Sequence, residues 1–137
     1  MSEASGDQPP HTEFLLGSDR AKGATIVKLF IPPGSGPSAH YHTKMEESFY
    51  VLEGEYSFWV GNREIRGGPD TFAFIPVGET HRFQNVGHSP GRLLCICSPP
   101  GHERYFQELD AAILAGKGTV DREFLAKLRA KYDTIQV

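Results

Sequence analysis

Residues 39–51, Ala39-His40-Tyr41-His42-Thr43-Lys44-Met45-Glu46-Glu47-Ser48-Phe49-Tyr50-Val51, decide the reading of this chain. Alternate residues of a β-strand project to the same face, so His40 and His42 can point together into one cavity. Glu47 opens the next strand. His81 comes from a returning strand, beyond a stretch rich in Val, Ile and Phe that Gly54 and Pro76-Val77-Gly78 punctuate. Three imidazoles and one carboxylate converging inside a β-barrel make a site for a divalent transition metal. A lone strand histidine is more often a surface or satisfied core residue, and it is the combination that reverses those odds. Glu46 falls on the face opposite Glu47 and is expected in solvent.

Outward from this stretch, apolar and β-branched runs predict strands over 24–31, 48–53, 55–60, 63–66, 71–75, 82–86 and 92–97. Turn signals separate them, among them Pro32-Pro33-Gly34, Gly54 and Gly61-Asn62. Short strands at regular spacing predict a sandwich or barrel, not alternating βαβ units. The 15 glycines and 10 prolines among 137 residues suit an all-β domain with many turns.

After Ser98-Pro99-Pro100-Gly101 the period changes. Phe106, Leu109 and Ile113 recur at helical spacing over 103–115, and Phe124, Leu128 and Tyr132, with Leu125 beside them, do so over 120–132. These helices either pack their apolar stripes outside the barrel or across a dimer interface, or form a lid over its mouth. The expected division is an N-terminal tail and first segment (1–21), a β domain (22–98) and a C-terminal helical extension (99–137). Residues 1 to about 11 are polar and Pro-containing and read as a flexible tail. His11 is therefore not expected to be a ligand. His88 and His102, near turn and helix-start signals, are expected at the surface.

Two spaced runs carry a family resemblance. Gly34, His40, His42, Glu47 and Gly54 fit every fixed position of the first cupin motif, and Pro76, Gly78, His81 and Asn85 fit the second. The chain resembles a small single-domain bacterial cupin of the quercetin dioxygenase-like kind. One position departs: the second motif usually opens with Gly six residues before its Pro, and here that residue is Asp70. Gly67-Gly68-Pro69 is expected to supply the turn instead. The resemblance implies that the β domain (22–98) is an all-β, double-stranded β-helix (jelly-roll) barrel, with one or two C-terminal α-helices. It also implies His40, His42, Glu47 and His81 as metal ligands, with Glu47 able to leave the metal and accept a proton. Asn85 closes the motif, is not a ligand, and is expected to hydrogen-bond a strand or loop.

Such a donor set suits Fe, Ni, Mn, Zn or Co and leaves a divalent ion with a net charge of about +1 and open positions. Phe49 and Val51 lie in phase with Glu47, and Phe83 in phase with His81. Phe72 and Phe74 are expected to contribute from the neighbouring strand. These side chains either wall a pocket for a small planar organic substrate or simply fill the barrel. Cys95 and Cys97 share a strand face. They read as small buried apolar residues or as an oxidation-sensitive thiol pair on the pocket wall, and not as a disulfide staple.

A net charge of −3 without a clustered Lys/Arg patch argues against a nucleic-acid partner. No apolar run approaches the ~20 residues of a membrane helix, and the amino terminus lacks a secretory apolar region. A soluble cytoplasmic protein is expected, and exposed strand edges with C-terminal apolar stripes predict a homodimer. Three functions follow in order: a dioxygenase acting on a small enolisable or phenolic compound; a redox-neutral isomerase, cyclase or lyase on a polyketide-like substrate; and a non-catalytic small-ligand binding cupin.

Overall fold

The computed structural model describes residues 10–137. Its strands are β1 (His11–Leu16), β2 (Thr25–Ile31), β3 (His40–Tyr41), β4 (Glu46–Glu53), β5 (Tyr56–Val60), β6 (Arg63–Gly67), β7 (Phe72–Ile75), β8 (His81–Asn85), β9 (Gly91–Ser98) and β10 (Ile135–Gln136). Among the described residues they form two antiparallel five-stranded sheets, ordered β1-β2-β9-β4-β7 and β10-β3-β8-β5-β6. This is the expected jelly-roll barrel. Each strand's inward residues fill it: Val27 from β2, Phe49 and Val51 from β4, Phe58 from β5 and Leu93 from β9 are all buried. The Phe49 ring lies 5.1 Å from Phe83 and 5.6 Å from Phe58 between centroids. Burial of each such side chain contributes roughly 1.5–3 kcal/mol.

Two short-range features seat the functional strands. The loop before β3 lies against β8, with Asn85 N–H donating to Ser35 O at 2.9 Å and Gly34 N–H to Asn85 O at 2.8 Å. Gly36 permits this approach, since a Cβ there would meet the Phe83 carbonyl oxygen at 2.0 Å. Asn85 is buried and bonds the carbonyls of Ile31 and Ser89, as expected of a motif-closing residue. At the departing motif position, Asp70 itself takes the left-handed conformation (φ 75°) that glycine adopts freely. Its carboxylate accepts the Tyr50 hydroxyl. The turn runs Gly68-Pro69-Asp70-Thr71, closed by Thr71 N–H donating to Gly68 O at 3.1 Å, so the expected Gly68 and Pro69 take part and Asp70 fills its left-handed position.

The amino-terminal segment differs from its reading. Residues 1–9 of the expected tail lie outside the described residues, but His11 opens β1, which pairs with β2 from His11↔Phe30 to Leu16↔Ile26. The His11 ring stacks on Phe30 at 4.6 Å. Sheet pairing thus begins ahead of residue 22. The alternation that would have disclosed β1 is missing, because Phe14 and Leu15 are both exposed on this edge strand.

The helices are α1 (Glu103–Ala115) and α2 (Arg122–Lys131). Asp121 caps α2 by accepting from Phe124 N–H at 3.0 Å. Glu103 anchors the start of α1 to the sheet, its carboxylate taking Thr25 Oγ1 at 2.6 Å, Ser18 N–H at 3.0 Å and Gly101 N–H at 3.0 Å. After α2 the left-handed Asp133 (φ 55°) returns the chain. β10 then pairs with β3 as Ile135↔Tyr41 and Gln136↔His40. Tyr105, Phe106 and Leu109 of α1 and Leu125 of α2 face a cavity shared with His40 and His42. The helices therefore cover the barrel mouth, which is the lid placement. No helix of the described residues is long and apolar enough to cross a membrane, a statement that does not bear on membrane-spanning strands.

Candidate metal centre

Strand register gathers the site. His40 in β3 pairs directly with His81 at the start of β8, and their ring centroids lie 4.4 Å apart. His42, just beyond β3, lies 5.0 Å from His40 and 5.2 Å from His81 by the same measure. Glu47 enters from β4 in the other sheet. One ligand atom from each of His40, His42, Glu47 and His81 lies within 4.8 Å of the others, and all four residues are buried.

The backbone sets the tautomers. His40 Nδ1 lies 2.8 Å from Ser38 O, His42 Nδ1 2.9 Å from Asp133 O and His81 Nδ1 2.9 Å from Glu79 O. A carbonyl can only accept, so each Nδ1 carries the proton and donates. Nε2 of each ring is then the atom left to face the site. Glu47 Oε1 sits 3.4 Å from His42 Nε2 and 3.2 Å from His81 Nε2. Lone pairs facing a carboxylate in a buried site repel unless a cation stands among them. His42 Nε2 has no hydrogen-bond partner despite its burial. Three imidazole nitrogens, one of them the orphaned His42 Nε2, and one carboxylate oxygen fit a divalent metal.

The electrostatics agree. Burial, reinforced by His81, pushes His40 down to about 4, which keeps it neutral. Burial opposes ionisation of Glu47, but His42 and His81 outweigh it and hold the carboxyl well below the usual range. Burial also opposes protonation of His42, yet Glu47 raises it, so a proton on that ring does what a cation would do there. Coordination takes the unprotonated imidazole and the ionised carboxylate, so a metal ion would replace a proton between His42 and Glu47.

Behind Glu47 lie the two cysteines, both free and fully buried. Cys95 Sγ donates to Glu47 Oε2 at 3.2 Å, Cys97 Sγ lies 3.6 Å from the same oxygen, and the two sulfurs are 3.7 Å apart. They are buried small side chains that hold the second carboxylate oxygen, leaving Oε1 toward the imidazoles. They do not line the cavity.

The cavity, about 300 Å³, opens over His40, His42 and Glu47. Phe49 and Phe83 line it and also belong to the packed core. Three expected wall residues do not line it. Val51 lies deeper, in the packed core. Phe72 and Phe74 point outward, 55% and 41% exposed, because β7 turns Ala73 and Ile75 inward. The register Phe49↔Ala73 and Glu47↔Ile75 sets that phase, and a shift of one residue exchanges the faces of a strand.

His102 also differs from its reading. It is buried, its ring 5.4 Å from His42 and stacked on Tyr105 at 4.9 Å. Burial pushes it down to about 4, so it stays neutral. His88 and Glu46 are exposed, as expected. Asp133, Thr134, Arg129 and Tyr105 are site residues that the sequence did not disclose. The helical stripe of Phe106, Leu109 and Ile113 was the available signal, but periodicity does not say which surface a helix covers.

Comparison with known proteins gives a concordant picture. The family described as Cupin domain matches residues 28–97. The tetracenomycin polyketide synthase protein TcmJ of Streptomyces glaucescens is 32% identical over 80 residues, covering 56% of this chain and 54% of that protein. Quercetin 2,3-dioxygenase of Bacillus subtilis is 30% identical over 84 residues, covering 61% of this chain and 25% of the dioxygenase. The chain thus spans about half of the first relative and a quarter of the second. Among solved structures, TT1209 from Thermus thermophilus superposes with a TM-score of 0.60 at 26% identity, covering 66% of this chain and 84% of that one.

Proposed function

We propose that this chain, which belongs to the Cupin domain family, is a metal-dependent dioxygenase acting on a small enolisable or phenolic compound. The observation that carries the reading is the convergence of His40, His42, His81 and Glu47 on one point beneath an apolar, aromatic cavity. A divalent Fe, Ni, Mn, Zn or Co ion held by those residues would supply Lewis acidity and open positions for substrate oxygen and dioxygen.

The chain's own groups do the rest. Phe49, Phe83 and Phe106 exclude water and press on a planar substrate. Glu47, ionised and lining the cavity, accepts the substrate proton at Oε1 while the Cys95 thiol keeps Oε2 in place. Neutral His102 beside His42 adds no charge to the site.

Likeness to TcmJ, a polyketide synthase protein, supports a second reading: isomerase, cyclase or lyase chemistry in which Glu47 moves a proton and dioxygen takes no part. Oxygen uptake by Fe-, Ni-, Mn- and Co-loaded protein against polyphenols and diketones decides between them. No uptake with any ion would end the dioxygenase reading, and anaerobic conversion by the Zn form would establish the second. Failure of both with metal bound would leave a small-ligand binding cupin. The reading includes a cytoplasmic homodimer, which a monomer mass by light scattering would refute.

A further inference from the structure

We infer that Arg129 is an anion-binding group of the cavity, so that the ligand is an apolar molecule bearing a carboxylate or kindred oxyanion. The inference rests on the proposed function only in calling that ligand a substrate. Arg129 lies one turn after Leu125 on α2, and both line the cavity together with His40 and His42. Arg129 is 8% exposed. Its Nη1 donates to Ser38 Oγ at 2.9 Å and to Gln136 Oε1, and the Tyr105 hydroxyl is a further neighbour. Every one of these partners is neutral. Buried Nε has no partner. Among the described residues no carboxylate forms an ion pair with this guanidinium.

A buried cation without a counter-charge is costly, and pinning β10 to β3 needs only a neutral donor. The charge therefore implies an anion that enters with the ligand. Asp110 also faces the cavity, but Thr12 occupies it through N–H at 2.9 Å and Oγ1 at 3.2 Å. A guanidinium presents a planar fork of donors suited to a carboxylate. Around it Phe49, Phe83, Phe106 and Leu125 offer apolar contact, and about 300 Å³ accommodates a ring with a short chain. Arg129 also reaches the metal site, since Ser38, which it holds through Oγ, accepts His40 Nδ1–H at its carbonyl.

The test is calorimetric titration of the full chain, chelator-stripped and Zn-loaded, with phenylacetate, phenylpropionate and phenylbutyrate and with their amides. At least one carboxylate is expected to bind about tenfold tighter than its amide in both forms. Arg129→Gln should abolish that preference, bringing carboxylate affinity down to that of the amide. No preference in the wild type, a preference confined to the Zn form, or one that survives in Arg129→Gln would each overturn the assignment. Should Arg129→Gln lose both ligands, Arg129→Lys decides: restored carboxylate preference supports the anion site, and its absence overturns it. A stripped chain that prefers carboxylates but takes up no metal removes the metal-enzyme reading and leaves Arg129 standing.

Discussion

The carbonyl oxygen of Asp133 accepts the Nδ1–H of His42 at 2.9 Å, joining residues 91 positions apart. The Asp133 carboxylate takes Lys44 N–H at 2.8 Å and Thr43 Oγ1 at 2.6 Å, clamping the turn that follows His42. The far end of the chain thus orients a candidate metal ligand. The link requires that α2, the left-handed Asp133 and β10 all be in place.

Asp133→Ala should weaken metal binding about 10–100-fold, as loss of a group orienting a ligand does. Asn tolerates the left-handed backbone and keeps one acceptor oxygen, so Asp133→Asn should weaken it less. Competition with a chromogenic chelator measures both. Unchanged affinity in the alanine variant would show that the clamp is dispensable.

His42→Ala removes a ligand and should lose metal and activity together. Glu47→Gln should keep much of the metal but lower turnover by roughly 10²–10⁴-fold, the usual contribution of a general base. Elemental analysis paired with turnover separates the two. Wild-type activity in both variants would disprove the site.

Glu103 governs acid stability. Burial would raise its carboxyl, but hydrogen bonds from Ser18 and Thr25 outweigh that and hold it down to about 2. Its folded pKa lies below the unfolded value near ~4.3. Its stabilisation is thus complete above that value and lost as pH falls toward about 2. Glu103→Gln should cost about 1–3 kcal/mol at neutral pH, with a smaller difference from wild type at low pH. Urea unfolding at both pH values checks this, and a gap that widens in acid would contradict it.

Asp70 occupies a conformation (φ 75°) that costs a Cβ-bearing residue roughly 1–2 kcal/mol. Asp70→Gly relieves that strain while forfeiting the Tyr50 hydrogen bond, so its melting temperature should stay near wild type. Asp70→Val keeps the strain, loses the bond and should melt lower. Equal melting of the two variants would argue against strain at this turn.

Cys95 and Cys97 are fully buried, and burial raises the Cys95 thiol well above its ordinary value. Ellman's reagent should label neither in the native protein and both after denaturation. Rapid native labelling would show that the sheet opens around Glu47.

Much of this was legible in the sequence because it is local. Alternation along Glu46–Glu53 and Gly91–Ser98 marks strands wherever the chain goes, and the spacing of His40, His42, Glu47 and His81 reports a shared face once a barrel is assumed. Phe72 and Phe74 failed for a specific reason. The four-residue β7 alternates large and small apolar residues, Phe-Ala-Phe-Ile, so size pointed to one face and register to the other.

By itself, then, the sequence determined most strands and the two helices through local periodicity, and through the resemblance of its two spaced motifs it implied the barrel and the four converging residues. Only the tertiary structure decided what roofs the cavity, why His102 is buried, where Arg129 meets no counter-charge and how Asp133 holds His42. Those relationships join elements far apart in the chain. They arise from packing helix faces against a sheet, and no local pattern encodes which surface a helix will cover.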